Sequence, residues 1–161
     1  MKNLLLIFLF LISISAFSQE SKIIELLNKQ LNKEITDNQK QDLIKIVRPF
    51  YIDDHHNLVL EVKKPNPYME QTDFIRSEVA LKDISGFIKD INVIFETAEP
   101  KVKITTKSYD SNNKLLKTNV EYTHLFFTEL CESKSNKKFR DKLLKAFEKA
   151  GFPISSEFWF D

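Results

Sequence analysis

The sequence predicts an α+β protein with two N-terminal helices, an antiparallel sheet of about six strands and a C-terminal amphipathic helix packed on the sheet. Three observations lead to this prediction. Short segments with apolar residues at every second position follow one another between Asp73 and Leu130. Turn-forming residues separate these segments. Apolar residues at helical spacing occur on both sides of them. We therefore expect one sheet that is covered by helices.

Residues 1–18 resemble a bacterial export signal. A positive end at Lys2 precedes an almost unbroken apolar run, and the small residues Ala16 and Ser18 stand before a cut at Gln19. A membrane anchor is the alternative, but the run is shorter than the roughly 20 residues that a spanning helix needs. No cysteine stands at the cut to carry a lipid. We predict cleavage, a periplasmic or extracellular location, and no transmembrane span after signal removal.

Residues 19–161 are predicted to form a single α+β domain, since about 140 residues are enough for one hydrophobic core. The whole chain has 24 basic and 23 acidic residues, and removal of the signal takes away Lys2. The processed chain is therefore neutral. Because a protein that binds nucleic acid needs a net or segregated positive field, we expect no nucleic-acid partner.

Two helices are predicted at the start of the processed chain. The first carries an apolar stripe at helical spacing, formed by Ile23, Ile24, Leu27, Leu31 and Ile35. Thr36 then supplies a helix cap, with Gln39 reaching back to it. The second helix is predicted to continue through Val47 and to end before Pro49, whose ring disfavours helical geometry at the preceding residue. Either apolar face could bind a partner, although packing into the core is the commoner outcome.

A hairpin is predicted next, from Phe50–Ile52 and Asn57–Lys63 with its turn at residues 53–56. Two prolines in residues 65–68 then indicate an extended surface loop. A strand follows at residues 74–81. Residues 81–91 fit either a helix or two strands joined by a turn at Gly86.

Three further strands complete the predicted sheet. Residues 91–97 and 101–107 alternate apolar and polar side chains, and the face with Phe95 is expected to be buried. Asp110 to Lys114 is the clearest hairpin turn, because Asp and Asn side chains bond their own backbone there. Residues 120–130 carry apolar groups on both faces, which favours a central strand covered from both sides.

The C-terminal helix has the best-specified boundaries. Its apolar face consists of Phe139, Leu143, Ala146, Phe147 and Ala150. Gly151 stands where a left-handed residue ends a helix, and Pro153 prevents continuation. The tail that follows contains Phe158 and Trp159, so we expect it to dock on the domain as an edge strand or to form a contact surface. This order of strands followed by one amphipathic helix is similar to the pleckstrin-homology-like superfold, in element order only.

Asp53, Asp54, His55 and His56 form the one candidate metal site, because imidazole nitrogens and carboxylates both bind zinc. Adjacent residues of a strand face opposite ways, so convergence on one ion would require a turn that folds them back. A polar hairpin tip explains the same residues. A metal-dependent hydrolase that uses this cluster is therefore the least favoured functional prediction.

Ser135, Lys137 and Lys138 form a candidate anion site at the start of the C-terminal helix, where free backbone amides point outward. The basic residues around them, from Lys134 to Lys145, otherwise indicate a solvated helix face. No catalytic residue and no cofactor are predicted. His124 is more simply explained as a packed histidine than as a base for Cys131. The chain has only two glycines, far apart in sequence, and this excludes a glycine-rich phosphate-binding loop. With a single cysteine, no internal disulfide can form.

The sequence favours an exported non-enzymatic binding or interaction module of the bacterial cell envelope, whose partner is an unknown protein or envelope component. The alternative is a small-molecule or lipid carrier with a cavity between sheet and helix. That alternative is suggested by the 14 phenylalanines of so small a domain.

Overall fold

The computed structural model describes residues 19–34, 44–66, 68–89, 92–130 and 136–159. This part of the chain contains two helices and eight strands, which form two antiparallel sheets. The elements are α1 (19–34), β1 (Lys45–Ile52), β2 (Asn57–Pro65), β3 (Thr72–Ala80), β4 (Ile84–Lys89), β5 (Val93–Thr97), β6 (Val102–Tyr109), β7 (Leu115–Thr123), β8 (Leu125–Phe127) and α2 (Lys137–Lys149). The predicted α+β class is confirmed. The predicted export signal, residues 1–18, lies outside the described residues.

The strands divide into a five-stranded sheet, in the order β1-β2-β3-β6-β7, and a three-stranded sheet, in the order β4-β5-β8. The prediction of one sheet of about six strands was therefore wrong in number and arrangement. A short 3-10 helix, Leu81–Asp83, takes the chain from β3 in the first sheet to β4 in the second. This helix and β4 account for residues 81–89 of the ambiguous segment, whereas residues 90 and 91 lie outside the described residues. Gly86 lies inside β4 rather than in a turn, and a Cβ there would come within 2.9 Å of Glu96 Oε2.

The second predicted N-terminal helix was wrong, because residues 45–52 form strand β1. Its proposed first half, residues 36–43, lies outside the described residues. Ile46 and Ile52 pack against the core whereas Val47 is 43% exposed, so the apolar residues follow strand rather than helix spacing. Pro49 is tolerated because β1 is an edge strand, where one amide can be spared from the ladder.

The predicted hairpins are both present. Strands β1 and β2 pair across the turn at residues 53–56, and β6 and β7 pair across the turn at residues 110–114. In the second turn, Asp110 Oδ1 accepts hydrogen bonds from the amides of Asn112 and Lys114. Asn113 adopts φ = 60°, the left-handed conformation that asparagine tolerates.

The predicted central strand over residues 120–130 was wrong. Residues up to Thr123 belong to β7, the exposed edge of the five-stranded sheet. The chain then changes sheet at His124, and β8 pairs with β5 in the three-stranded sheet. Residues 120–130 carry apolar groups in both alternating positions because this stretch contains the end of β7 and the whole of β8, which belong to different sheets. Phe126 is fully buried, whereas Tyr122 is 62% exposed.

An aromatic cluster joins the two sheets and α2. Ring centroids lie 6.5 Å apart for Phe50 and Phe126, 6.2 Å for Phe126 and Phe95, and 4.9 Å for Phe95 and Phe87. From α2, Phe147 lies 5.5 Å from Phe95. The same core includes the buried stripe of α1. Burial of each such ring contributes roughly 2–3 kcal/mol in transfer terms.

Helix α2 ends as predicted. Phe152 donates its amide to the carbonyl of Phe147, Gly151 donates to Glu148, and Gly151 has φ = 84°. These are the two bonds of a Schellman cap. The tail then lies along β4, where Ser155 bridges Gly86 in parallel. The indole of Trp159 lies 5.1 Å from the ring of Phe87, so the described part of the tail docks on the domain.

Candidate functional site: a basic groove between the two helices

Helices α1 and α2 border a groove of about 980 Å³. We call it the helix groove. Seven lysines and a single acidic residue, Glu25, line it. The seven are Lys22, Lys29, Lys33, Lys138, Lys142, Lys145 and Lys149, and all of them are exposed. The helix groove therefore brings together seven of the 24 basic residues of a chain whose net charge is only +1.

The lysines recur at the same intervals on the two helices, except that Leu26 replaces a fourth lysine on α1. On α2 they recur at intervals of four, three and four residues, from Lys138 to Lys149. On α1 the same intervals join Lys22, Leu26, Lys29 and Lys33. Residues at these intervals share one helix face. Each stripe covers roughly 17 Å, or three turns, so the groove has two basic walls of equal length.

Little of this charge is neutralised within the protein. Lys22 Nζ lies 2.7 Å from Glu25 Oε2, and this hydrogen bond and charge lower the pKa of the Glu25 carboxyl. The charge of Lys29 also lowers the pKa of the Glu25 carboxyl, but Lys29 and the other five lysines form no ion pair and no side-chain hydrogen bond within the described residues. Like charges at neighbouring positions of a helix destabilise it by about 0.2–0.5 kcal/mol per pair. The lysines of the groove therefore repel one another along each helix.

The floor of the groove is apolar. Leu26, Phe139 and Ala146 line it, and the last two are buried, at 9% and 4% exposure. The lysine side chains that stand around them are exposed. The groove therefore offers apolar contact below and positive charge on both sides.

The start of α2 forms one end of the groove. Asn136 is 4% exposed, and its Nδ2 has no hydrogen-bond partner within the described residues. Its Oδ1 accepts a hydrogen bond from Lys89 Nζ at 3.4 Å. The first turn of α2 has no acidic residue and no side-chain cap. A buried amide donor and an uncompensated helix N-terminus therefore meet where an anion is favoured.

The predicted anion site is only partly included in this arrangement. Lys138 lines the groove, whereas Lys137 is exposed on α2 and is not a lining residue. Ser135 lies outside the described residues. Sequence reasoning missed Asn136 and the whole contribution of α1. The repeated intervals of the basic positions in both helices were the available signal.

Two of the four predicted metal residues, Asp53 and His56, form side-chain hydrogen bonds within the protein. Asp53 caps its own hairpin turn, since Oδ1 accepts hydrogen bonds from the amides of His55 and Asn57. His56 turns toward α1, and its Nδ1 lies 2.9 Å from Glu20 Oε1. Asp54 is exposed. In the part of the chain that the structure describes, no three His, Cys, Asp or Glu side chains converge where they could hold a metal ion.

His124 lies at the crossing between the sheets, where Nδ1 is 3.2 Å from the Thr97 carbonyl oxygen. Cys131 lies outside the described residues.

Comparisons with known protein families, curated proteins and solved structures found no match. Among the described helices, none combines the length and apolar character needed to cross a membrane.

Proposed function

We propose that the protein is an exported, non-enzymatic binding module of the bacterial cell envelope, and that its helix groove binds an acidic, partly apolar segment of a partner protein. The observation that carries this proposal is the excess of seven lysines over one glutamate around an apolar floor. Export is inferred from the signal-like residues 1–18.

An anionic ligand explains why the lysines are kept together. Interfaces gain specificity when a positive patch meets a negative one, and wrong partners are rejected by like-charge repulsion. A locally unfavourable charge pattern without compensation inside the fold is typical of a functional surface. A bound polyanion would supply the missing charge and relieve repulsion between the two walls.

The shape of the groove favours a chain segment over a membrane surface. Phe139 and Ala146 are recessed between the basic walls, so a flat bilayer would meet the lysines without reaching the floor. A helix with acidic residues on its flanks and apolar residues below fills a groove of three turns. The α2 N-terminus at one end of the groove has no acidic residue in its first turn, so it favours one of the carboxylates of such a helix.

The test uses residues 19–161 and a labelled amphipathic peptide of about four helical turns, with glutamate on one face and leucine on the other. We expect micromolar binding in fluorescence anisotropy that weakens with added salt, because the pairs are solvent-accessible. Peptides with glutamine for glutamate, or serine for leucine, should each bind at least about tenfold more weakly, a loss of 1.4 kcal/mol. Equal binding of the glutamine peptide would refute the proposal.

Anionic-lipid vesicles and a single-stranded oligonucleotide serve as competing ligands in the same assay. Tighter binding of either one than of the acidic peptide would replace the proposed partner with that class of ligand. A second candidate function is a carrier of one anionic amphiphile such as a fatty acid. It is favoured by the volume and apolar floor of the helix groove, and displacement of the peptide by a fatty acid would support it.

A further inference from the structure

Among the described strands, β7 is an edge whose outer side has no partner, and it carries apolar side chains in solvent. It spans nine residues, and it pairs with β6 on one side only. Its exposed large side chains are Leu115 and Leu116, each 48% exposed, Val120 at 49% and Tyr122 at 62%. Long exposed edges of this kind are templates for pairing with another strand.

The opposite edge of the same sheet is protected. Strand β1 contains Pro49 and shifts register twice against β2. It also contacts α1, where Asn28 Nδ2 donates to the carbonyl of Phe50. Proline and bulges are the usual means of preventing edge pairing. In β7 there is no proline, and its one register shift lies beside Leu115, at the hairpin end.

The side chains of β7 are self-complementary about Asn119. When two copies of β7 pair antiparallel with their Asn119 residues opposite each other, Lys117 of each copy lies opposite Glu121 of the other. Leu116 then lies opposite Tyr122, and Thr118 lies opposite Val120. Opposite charges and apolar or β-branched pairs are the cross-strand combinations that stabilise sheets.

Neither Lys117 nor Glu121 faces an opposite charge within the described part of the sheet. Lys117 pairs in register with Ser108 and Glu121 with Ile104, so neither faces an opposite charge on β6. Within β7 the two residues share a face but stand four positions apart, roughly 13 Å, which is too far for an ion pair. No ion pair of either residue occurs among the described residues.

We propose that β7 pairs with β7 of a second copy of this chain, in antiparallel register about a two-fold axis at Asn119. The two five-stranded sheets then form one continuous ten-stranded sheet. Because the axis is perpendicular to the sheet, each residue keeps its face, and the interface is isologous. The helix groove is not part of this interface.

Charge reversal tests the register. Lys117→Glu should place two Glu–Glu pairs at the interface, and Glu121→Lys two Lys–Lys pairs. Each variant alone should raise the dimer dissociation constant at least tenfold in analytical ultracentrifugation, while circular dichroism stays unchanged. Mixed together, the two variants should form a heterodimer, because every pair is then of opposite charge. The matched control is Lys114→Glu, an exposed lysine of the adjoining turn that lies outside the paired segment.

A cross-link tests the axis. In a Cys131→Ser background, Asn119→Cys should give a disulfide-linked dimer on oxidation, because directly opposite residues bring their Cα atoms within disulfide range. Thr105→Cys on β6 should not cross-link. The proposal is overturned if the wild-type chain stays monomeric up to about 1 mM, where even weak complexes are populated. A dimer that persists in both single variants, or that leaves Asn119→Cys unlinked, also overturns it.

Discussion

The helix groove and the outer face of the five-stranded sheet both concentrate charged side chains, but they do so in opposite ways. On the sheet, Arg76 lies among three carboxylates, with Nε 2.6 Å from Glu78, Nη1 3.0 Å from Glu61 and Nη2 3.8 Å from Asp53. Lys103 Nζ approaches Glu78 at 2.7 Å. In the groove, six lysines form no ion pair with any carboxylate of the described residues. Charge on the sheet is paired within the fold, whereas we propose that charge in the groove is paired by a ligand.

The charged cluster around Arg76 also holds the Tyr51 ring in place. Tyr51 accepts a hydrogen bond from Arg76 Nη1 and donates one to Glu61 Oε1. The guanidinium carbon of Arg48 lies 3.4 Å from the centre of the Tyr51 ring. Opposite charges that alternate across neighbouring strands support one another. Changes in the two regions should therefore have opposite consequences for stability and for binding.

The largest expected effect is on binding to the helix groove. Reversing the charge of one lysine in each wall, with Lys29→Glu and Lys142→Glu, should weaken binding of the acidic peptide at least about 100-fold, a loss of 2.7 kcal/mol. The free energy of unfolding should change by no more than about 0.5 kcal/mol, since these are exposed sites. Fluorescence anisotropy and urea titration measure the two quantities. Lys82→Glu with Lys114→Glu is the control with the same charge change, and it should bind nearly as the wild type does.

The Arg76 cluster should respond in the opposite sense. Arg76→Met leaves Asp53, Glu61 and Glu78 together without their shared cation, and should lower the free energy of unfolding by about 1–3 kcal/mol. Affinity for the peptide should stay within about twofold of the wild type, which is within 0.4 kcal/mol. Loss of peptide binding at unchanged stability would place the binding surface on the sheet instead.

The pH dependence of stability should come from the same cluster. Burial alone would raise the pKa of the Glu78 carboxyl, but hydrogen bonds from Lys103 and Arg76 outweigh burial and hold the pKa below 4.5. A carboxyl with a depressed folded-state pKa stabilises the fold above its unfolded pKa, and that contribution is lost as the pH falls through the folded value.

We therefore expect the free energy of unfolding to be level above about pH 5.5 and to fall below about pH 4.5. Glu78→Gln should make that decline shallower in urea titrations carried out at a series of pH values. An unchanged decline would mean that other carboxyls control acid unfolding.

The smallest expected effect is at the end of the groove. Asn136→Asp puts a negative charge at the uncompensated α2 N-terminus and beside Lys89, so it should stabilise the fold by about 0.3–1 kcal/mol. The same charge should repel the peptide and weaken its binding about threefold or more, from 0.7 kcal/mol upward. Asn136→Ser, which adds no charge, separates repulsion from the loss of the amide donor.

Much of the fold could be predicted from local patterns. The α2 cap at Gly151 and the turn at Asp110 depend on residues close in sequence, and both are present. Strand β1 was mistaken for a helix because the spacing of Ile44, Ile46 and Val47 fits both the helical period and the strand period. The division into two sheets was missed because a change of sheet at His124 leaves no local signal.

The candidate site was harder to predict than the fold. Its two walls are separated by about 100 residues of sheet, and neither lysine stripe is unusual on a single helix surface. Only packing of α1 and α2 on a common core brings the stripes together. The buried amide of Asn136 also became apparent only from the three-dimensional contacts.

The most direct test is to map the peptide contact by NMR. Amide shifts of isotope-labelled residues 19–161 would be followed while the acidic peptide is added. We expect the shifts to concentrate in α1 and α2, at Leu26, Asn136 and Phe139, and to leave Arg76 and its neighbours on the sheet unchanged. Shifts confined to the outer face of the sheet, or no shifts at millimolar peptide, would contradict a ligand in the helix groove.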